Sequence, residues 1–357
     1  MSLLLKSNSA LKLNKLTDRV ATGITATLDF RDMKFTLAGS NVSYTDILTV
    51  TRATGGGSYN AAGDYSNIGA GTGRISFDLT RNKKGLLVEQ IQINEFYNSY
   101  APASHSRNLS ISANSGMRVL TCVGAGSVEL LIDNVSKGVA TESKPLFYLP
   151  LSASTQIQFI VNGRLSYAGF YATVDSTERI TRVQTSVSAN AVAQPDLLSV
   201  KSSLFSQLLN NGTGCIAMRL SVPADAFDRN LTVAQSGTLL QYLDNSDYGV
   251  FAARSTGDQR GIFLRVLESA GGAEKLASTN AVSAKDVIVA VNVSANTSKL
   301  AANGKVSNLV THASAITLAK LYIASGSVWS TGITNYLQEV VFFNRNLTDE
   351  ELVAITK

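Results

Sequence analysis

The chain has 357 residues, enough for two or three domains that each bury a core. Only 16% of residues are charged, and Gly, Ser, Thr, Asn, Ala and Val are abundant, the profile of an all-β protein with many turns. The net charge of +5 is scattered, with no Lys/Arg block of five, which excludes a nucleic-acid stripe and leaves a mild surface charge suited to anionic cell-surface polymers.

In chain order, "MSLLLKSNSALKLNK" has a three-residue apolar run and no small-residue cleavage site, so no signal peptide is expected. No apolar stretch approaches the roughly 18 residues of a membrane span, so no membrane insertion is expected. Residues 1–103 read as an extended N-terminal arm for attachment or oligomerisation. Its turns are dense, at Gly55-Gly56-Gly57, Gly63-Asp64 and Asn82-Lys83-Lys84-Gly85.

Residues 104–175 change texture. Val128, Leu130 and Ile132 share one face, as do Ile157, Phe159 and Val161, which predicts a small jelly roll or sandwich. Residues 176–196 are polar, end near Pro195, and read as a linker. Residues 197–357 predict an antiparallel β-sandwich. "DLLSVKSSLFSQLLNNG" fits either a short amphipathic helix ending at Gly212 or two short strand pieces. Ile216, Met218, Leu220 and Val222 alternate with polar or small residues. Val287, Val289, Val291 and Val293 alternate with Ile288, Ala290 and Asn292, and Asn303-Gly304 marks a hairpin. The chain closes on "NRNLTDEELVAI", a complete helix start. Thr348 is the N-cap, Glu351 completes a capping box, and Leu347 with Leu352 can form a hydrophobic staple. A helix this short is marginal alone, so Leu352 and Ile355 must dock on the domain.

Chemistry-bearing patterns are few. His105 and His312 have no metal-type spacing partner and read as surface or loop histidines. Cys122 and Cys215 read as buried free thiols. No Gly-x-Ser-x-Gly elbow occurs, and "GAGTGR" lacks the Lys-Ser/Thr of a phosphate loop, so no enzyme is expected. Aromatic rings stack on sugars while acids and amides bind hydroxyls. "QYLDNSDYGVF" offers Tyr242, Asp244, Asn245, Asp247 and Tyr248 for glycan contact, or is an ordinary acidic hairpin turn. Asp244, Asn245 and Asp247 could also hold calcium; no other cofactor is expected. Trp329 is the only tryptophan, a second glycan candidate or a core aromatic.

Two resemblances follow. "AKLYIASGSVWSTGITNYLQEVVFFNRNLTDEELVAI", with "DVIVAVNVSANTSKLAANGKV" upstream, resembles the closing strands of concanavalin A-like and laminin G-like sandwiches, over roughly residues 200–357. This implies a lectin-like sandwich with a short terminal helix. Separately, Thr51-Arg52-Ala53, the turn from Tyr59 to Gly63, the strand from Arg74 to Asp78 and Gly85 to Glu89 resemble a segment of tailed-bacteriophage tail and fibre proteins. An Asn-x-Pro usually precedes the Arg there; here "GAGTGR" stands instead. The resemblance runs from about 48 to 357. It implies a virion protein assembled in the host cytoplasm: a tail fibre or similar appendage, trimeric, contacting other tail proteins and host polysaccharide. Arg52, Arg74, Phe77, Leu86, Leu87, Glu89 and Tyr97 would belong to the attachment segment, with Tyr97 and Tyr100 packing on another subunit. The rival expectations are a collar, head-decoration or baseplate protein that binds no sugar, and a glycan-degrading tail spike.

Overall fold

A computed structural model of the chain describes residues 15–79, 82–89, 92–111, 117–148, 154–173, 182–186, 189–193, 195–221, 236–255, 261–268, 275–278, 286–325 and 335–357. The chain is all-β, built on antiparallel sheets, with one short helix at its C-terminal end. Two large sheets face each other. The first runs, in spatial order, through Lys305–Val306, Thr297–Ala302, Asp286–Val293, Gly214–Ser221, Asn335–Phe343, Ile24–Asp29, Lys34–Leu37 and Ser40–Asn41. The second runs through Lys275–Ser278, Gly261–Leu267, Gly249–Ser255, Ser236–Leu243, Lys320–Ile323, Leu197–Val200 and Leu48–Thr51. One hydrophobic cluster joins them: Leu28, Met218, Val289, Val340 and Phe342 from the first meet Leu198, Leu240, Val250, Leu264 and Leu321 from the second. This is a β-sandwich.

Period-2 alternation sorts the side chains. Ile216, Met218 and Leu220 point into the sandwich, as do Val287, Val289, Val291 and Val293. Cys215, Ala217, Ile288 and Ala290 point to the outer face of the first sheet. That face is covered by the helix Asp349–Thr356 and by Leu16 and Val20, so every residue of the strand Asn335–Phe343 is buried. The helix begins as its sequence implies. Glu351 N–H donates to Thr348 Oγ1 (3.3 Å) and Thr348 N–H to Glu351 Oε2 (2.9 Å), while Leu347, Leu352 and Ile355 pack in one cluster. "DLLSVKSSLFSQLL" fits neither reading alone: one strand, Leu197–Val200, is followed by a 3₁₀ turn and a helix, Phe205–Leu209.

The N-terminal stretch departs from the arm expected of it. Ile24–Asp29 pairs with the central strand Asn335–Phe343, Leu48–Thr51 pairs with Leu197–Val200, and Lys83–Val88 pairs with the start of Asn335–Phe343. These strands find their partners some 150 to 300 residues away, and their apolar residues Leu28, Leu48, Leu86 and Val88 enter the sandwich core. The middle region is accordingly inserted between Lys83–Val88 and Leu197–Val200. Its described strands form a seven-stranded sheet led by Met117–Ile132 and Ser154–Thr173. Phe96, Leu120, Val128, Leu130, Phe159 and Phe170 make its separate core. A register shift at Val123–Gly124 interrupts the long hairpin. Gly124 has φ +116°, and a Cβ there would lie 2.7 Å from the Arg164 carbonyl oxygen.

The insertion is clamped by buried charge. Asp196 N–H donates to the Glu89 carbonyl (2.9 Å), and Glu89 N–H donates to Asp196 Oδ2 (2.8 Å), so the departing and returning chain are neighbours. Arg52 donates to Asp196 Oδ1 (2.7 Å) and to the Thr54 and Gly69 carbonyls (2.6 and 2.7 Å). Arg74 donates to Glu89 Oε2 (2.5 Å), to the Gly57 carbonyl (3.0 Å) and to Asp196 Oδ2. All four ionised side chains are buried. Burial opposes the Arg74 charge, but Glu89 and Asp196 outweigh it and hold its pKa above the ordinary value. Gly56 makes room: a Cβ there would lie 2.8 Å from an Arg74 guanidinium nitrogen.

Two outcomes are expected. Arg74→Ala leaves Glu89 and Asp196 buried against one remaining guanidinium and lowers stability by about 3–5 kcal/mol in chemical denaturation. The helix contact is acid-sensitive. The bidentate Arg345 pair (2.7 and 2.6 Å), aided by the Thr348 amide, holds Glu351 at about 2, against about 4.3 for an unfolded glutamate. The folded pKa is the lower one, so this contribution is complete above about 4.3 and is lost as pH falls through about 2. Hydrogen exchange of residues 349–356 should accelerate over that window, and Glu351→Gln should flatten the dependence.

Candidate functional site

The outer face of the second sheet carries the features a ligand site needs. Register places Thr49, Ser199, Tyr322, Gln241, Phe251 and Arg265 in one row across six strands. Their sequence neighbours Leu198, Leu321, Leu240, Val250 and Leu264 fill the sandwich core, so the row points away from it. At one end a groove of about 440 Å³ opens between strands, lined by Thr49, Ser199, Lys201, Ser202, Ser203, Lys320 and Tyr322, with Val200, Ala319 and Leu321 behind. At its side Leu243, Phe251 and Leu267 form a buried apolar cluster, against which Tyr248 and Tyr322 lie half-buried.

The turn after Ser236–Leu243 borders this face. Asp244 Oδ1 accepts from the Ser246 and Tyr248 amides (2.8 and 3.0 Å), and Asp244 N–H donates to the Tyr248 carbonyl (2.8 Å). This local Asx arrangement explains why the turn carries aspartate. Asp247 adopts φ +65°, and its Oδ1 accepts from Lys320 Nζ at 2.8 Å. Lys320 is raised above the usual lysine pKa, first by that hydrogen bond. Lys320, on the groove wall, is therefore paired on one side with Asp247, which lies outside the lining.

The glycan-contact residues expected from the sequence divide. Tyr248 and Asp247 reach the outer face beside the groove, and Asn245 is exposed at the turn tip. Asp244 is spent on the turn. Tyr242 is in the sandwich core, its hydroxyl donating to the Gly212 carbonyl (2.9 Å), and burial pushes its pKa up to about 12. Strand alternation sends it inward with Leu240, so it offers no ring face to a sugar. Trp329 lies outside the described residues. Among the described residues no three His, Cys, Asp or Glu side chains gather as a metal-holding group, and Asp247 is paired with Lys320. Lys320, Tyr322, Ser199, Lys201 and Thr49 escaped notice. The signal was present in "KLYI": with Leu321 and Ile323 assigned to the core, Lys320 and Tyr322 must face outward.

The attachment-segment residues also differ from expectation. Arg52, Arg74 and Glu89 belong to the buried clamp. Leu86 is in the sandwich core, Leu87 packs with Tyr336 and Tyr59, and Phe77 is half-buried. Tyr97 packs within its own chain, stacked on His105 (5.5 Å between centroids) with Arg107 4.4 Å over its ring. The buried members, Arg52, Arg74, Glu89, Leu86 and Leu87, hold this chain together. His312 lies in a loop, as expected, but is buried there, with Ser298 Oγ at 2.9 Å and the Ala295 carbonyl at 3.0 Å.

No known protein family matches the chain, and no curated protein does. Among solved structures, the chain is similar to the Ruminococcus gnavus IT-sialidase CBM40 at 13% identity and TM-score 0.32, over 41% of this chain and 84% of that one. It is similar to a structure of botulinum neurotoxin type C, whose cell entry depends upon interaction with two ganglioside molecules, at 11% identity and TM-score 0.34, over 46% of this chain and 40% of that one. The leech intramolecular trans-sialidase aligns at 11% identity and TM-score 0.31, over 41% of this chain and 23% of that one.

Tyr242→Phe separates core from site. It should cost about 1 kcal/mol in thermal or chemical denaturation and leave any ligand affinity of the groove unchanged, as read by calorimetry.

Proposed function

We propose that this chain is a structural protein of a tailed-phage virion, a tail fibre or similar appendage, whose sandwich binds host surface glycan without catalysis. The observation that carries this reading is the groove on the outer face of the second sheet. There a half-buried ring, Tyr322, stands among the hydroxyls of Thr49, Ser199, Ser202 and Ser203 and the ammonium of Lys320. A ring face flanked by fixed donors and acceptors is what a sugar's apolar face and hydroxyl edge require. The phage assignment is supported by the sequence resemblance over residues 48–357. In this reading the working unit is a homotrimer attached to other tail proteins. Several copies of a weak site give avidity that one site lacks.

The test is direct binding of purified chain to a panel of bacterial surface oligosaccharides, with the assembled particle imaged by electron cryomicroscopy. Tyr322→Ala should weaken glycan binding roughly threefold to tenfold; because the ring also packs on Leu243, Phe251 and Leu267, some loss of melting temperature is expected, and binding is read below it. A groove buried against another virion protein in the particle would replace adhesion with a fastening role.

A further inference from the structure

The lining of the groove says more about its ligand than that it is a sugar. Among the described residues it contains two lysines, Lys201 and Lys320, and no carboxylate. Their placement is set by register. Ser199 is paired with Tyr322 on antiparallel strands, so two residues onward along one and two back along the other bring Lys201 to the level of Lys320. Ser199 and Tyr322 face outward, and residues two positions away on extended backbone face the same way; Lys201 is extended, at φ −61° and ψ 125°. Like charges at opposed positions on neighbouring strands repel. Lys320 is relieved on its far side by Asp247, which lies outside the groove lining. That contact uses one of three ammonium donors and leaves two for the groove. Lys201 is exposed, and among the described residues it has no ion-pair partner.

We infer that the groove takes an acidic sugar, one bearing a carboxylate or sulfate, with the anionic group held between Lys201 and Lys320. This rests on the glycan-binding reading above and narrows its ligand class. Ser199, Ser202, Ser203 and Thr49 serve the remaining oxygens, and Tyr322 supports the ring. The two ammoniums that repel in the free protein become partners of one anion.

The experiment uses the full chain on a surface of immobilised oligosaccharides in neutral, carboxylated and sulfated forms, read at low and physiological salt. Expected is retention by the carboxylated or sulfated forms over their neutral counterparts, weakening with salt. Lys201→Gln and Lys320→Gln should each weaken binding roughly threefold to tenfold, with Lys201→Arg and Lys320→Arg close to the parent. Both lysines reach solvent, and thermal melting checks that the variants fold. Binding to neutral forms alone overturns the acidic-sugar inference and leaves the glycan reading standing. Acidic-sugar binding unchanged in both Gln variants overturns this groove as the place of recognition. Binding to no glycan of any kind overturns both.

Discussion

The pairing of Arg52 and Arg74 with Glu89 and Asp196 holds the architecture in register. Each residue comes from a different part of the chain, and each is buried. Two guanidiniums and two carboxylates balance in charge, and carbonyls of Gly57, Thr54 and Gly69 take further donors. Replacing one member would strand its partners without water, so the four act as a unit. Through them the hairpin Gly56–Tyr59/Tyr65–Ile68, the strand Lys83–Val88 and the approach to Leu197–Val200 are tied at one point. The groove depends on this indirectly: Thr49 and Ser199 come from strands whose neighbouring residues, Arg52 and Asp196, are locked together.

A second constraint lies at the other side of the sandwich. A central strand with both faces apolar needs cover on both. The facing sheet covers one side of Asn335–Phe343, and the terminal helix with Leu16 and Val20 covers the other. Glu339 interrupts the outer apolar face, and burial raises its pKa. Arg31 at 2.9 Å and the Leu16 amide at 2.8 Å satisfy it. The short helix itself packs over the neighbouring strands Asp286–Val293, Thr297–Ala302 and Lys305–Val306, and the 3₁₀ turn Leu16–Asp18 lies against Asn335–Phe343.

What could be read beforehand was local. Alternation in "GCIAMRLS" and "DVIVAVNV" identified strands and their inward faces, and the Thr348–Glu351 box identified the helix. The insertion was not legible, because Glu89 and Asp196 are 107 positions apart and neither carries a mark of its partner. An arginine in a Gly-rich stretch looks solvent-exposed until a distant carboxylate is placed beside it. Within the site, Tyr248 and Asp247 were visible as turn chemistry. Composition alone groups Tyr242 with Tyr248, whereas the strand period turns Tyr242 inward with Leu240. The same period, continued along "KLYI", would have exposed Lys320 and Tyr322.

The adjacency of Glu89 and Asp196 also bears on how such a chain evolves. The middle module leaves and rejoins the sandwich at two hydrogen-bonded neighbours, and its apolar core is its own. A genetic exchange with crossovers near these two positions replaces the whole module while the strand order of both sandwich sheets is kept. The ion clamp is then a socket. It lies at the base of the insertion, and three of its four side chains belong to the sandwich's own sequence before the break. A lineage can exchange the middle module at this point without rebuilding the sandwich that carries it.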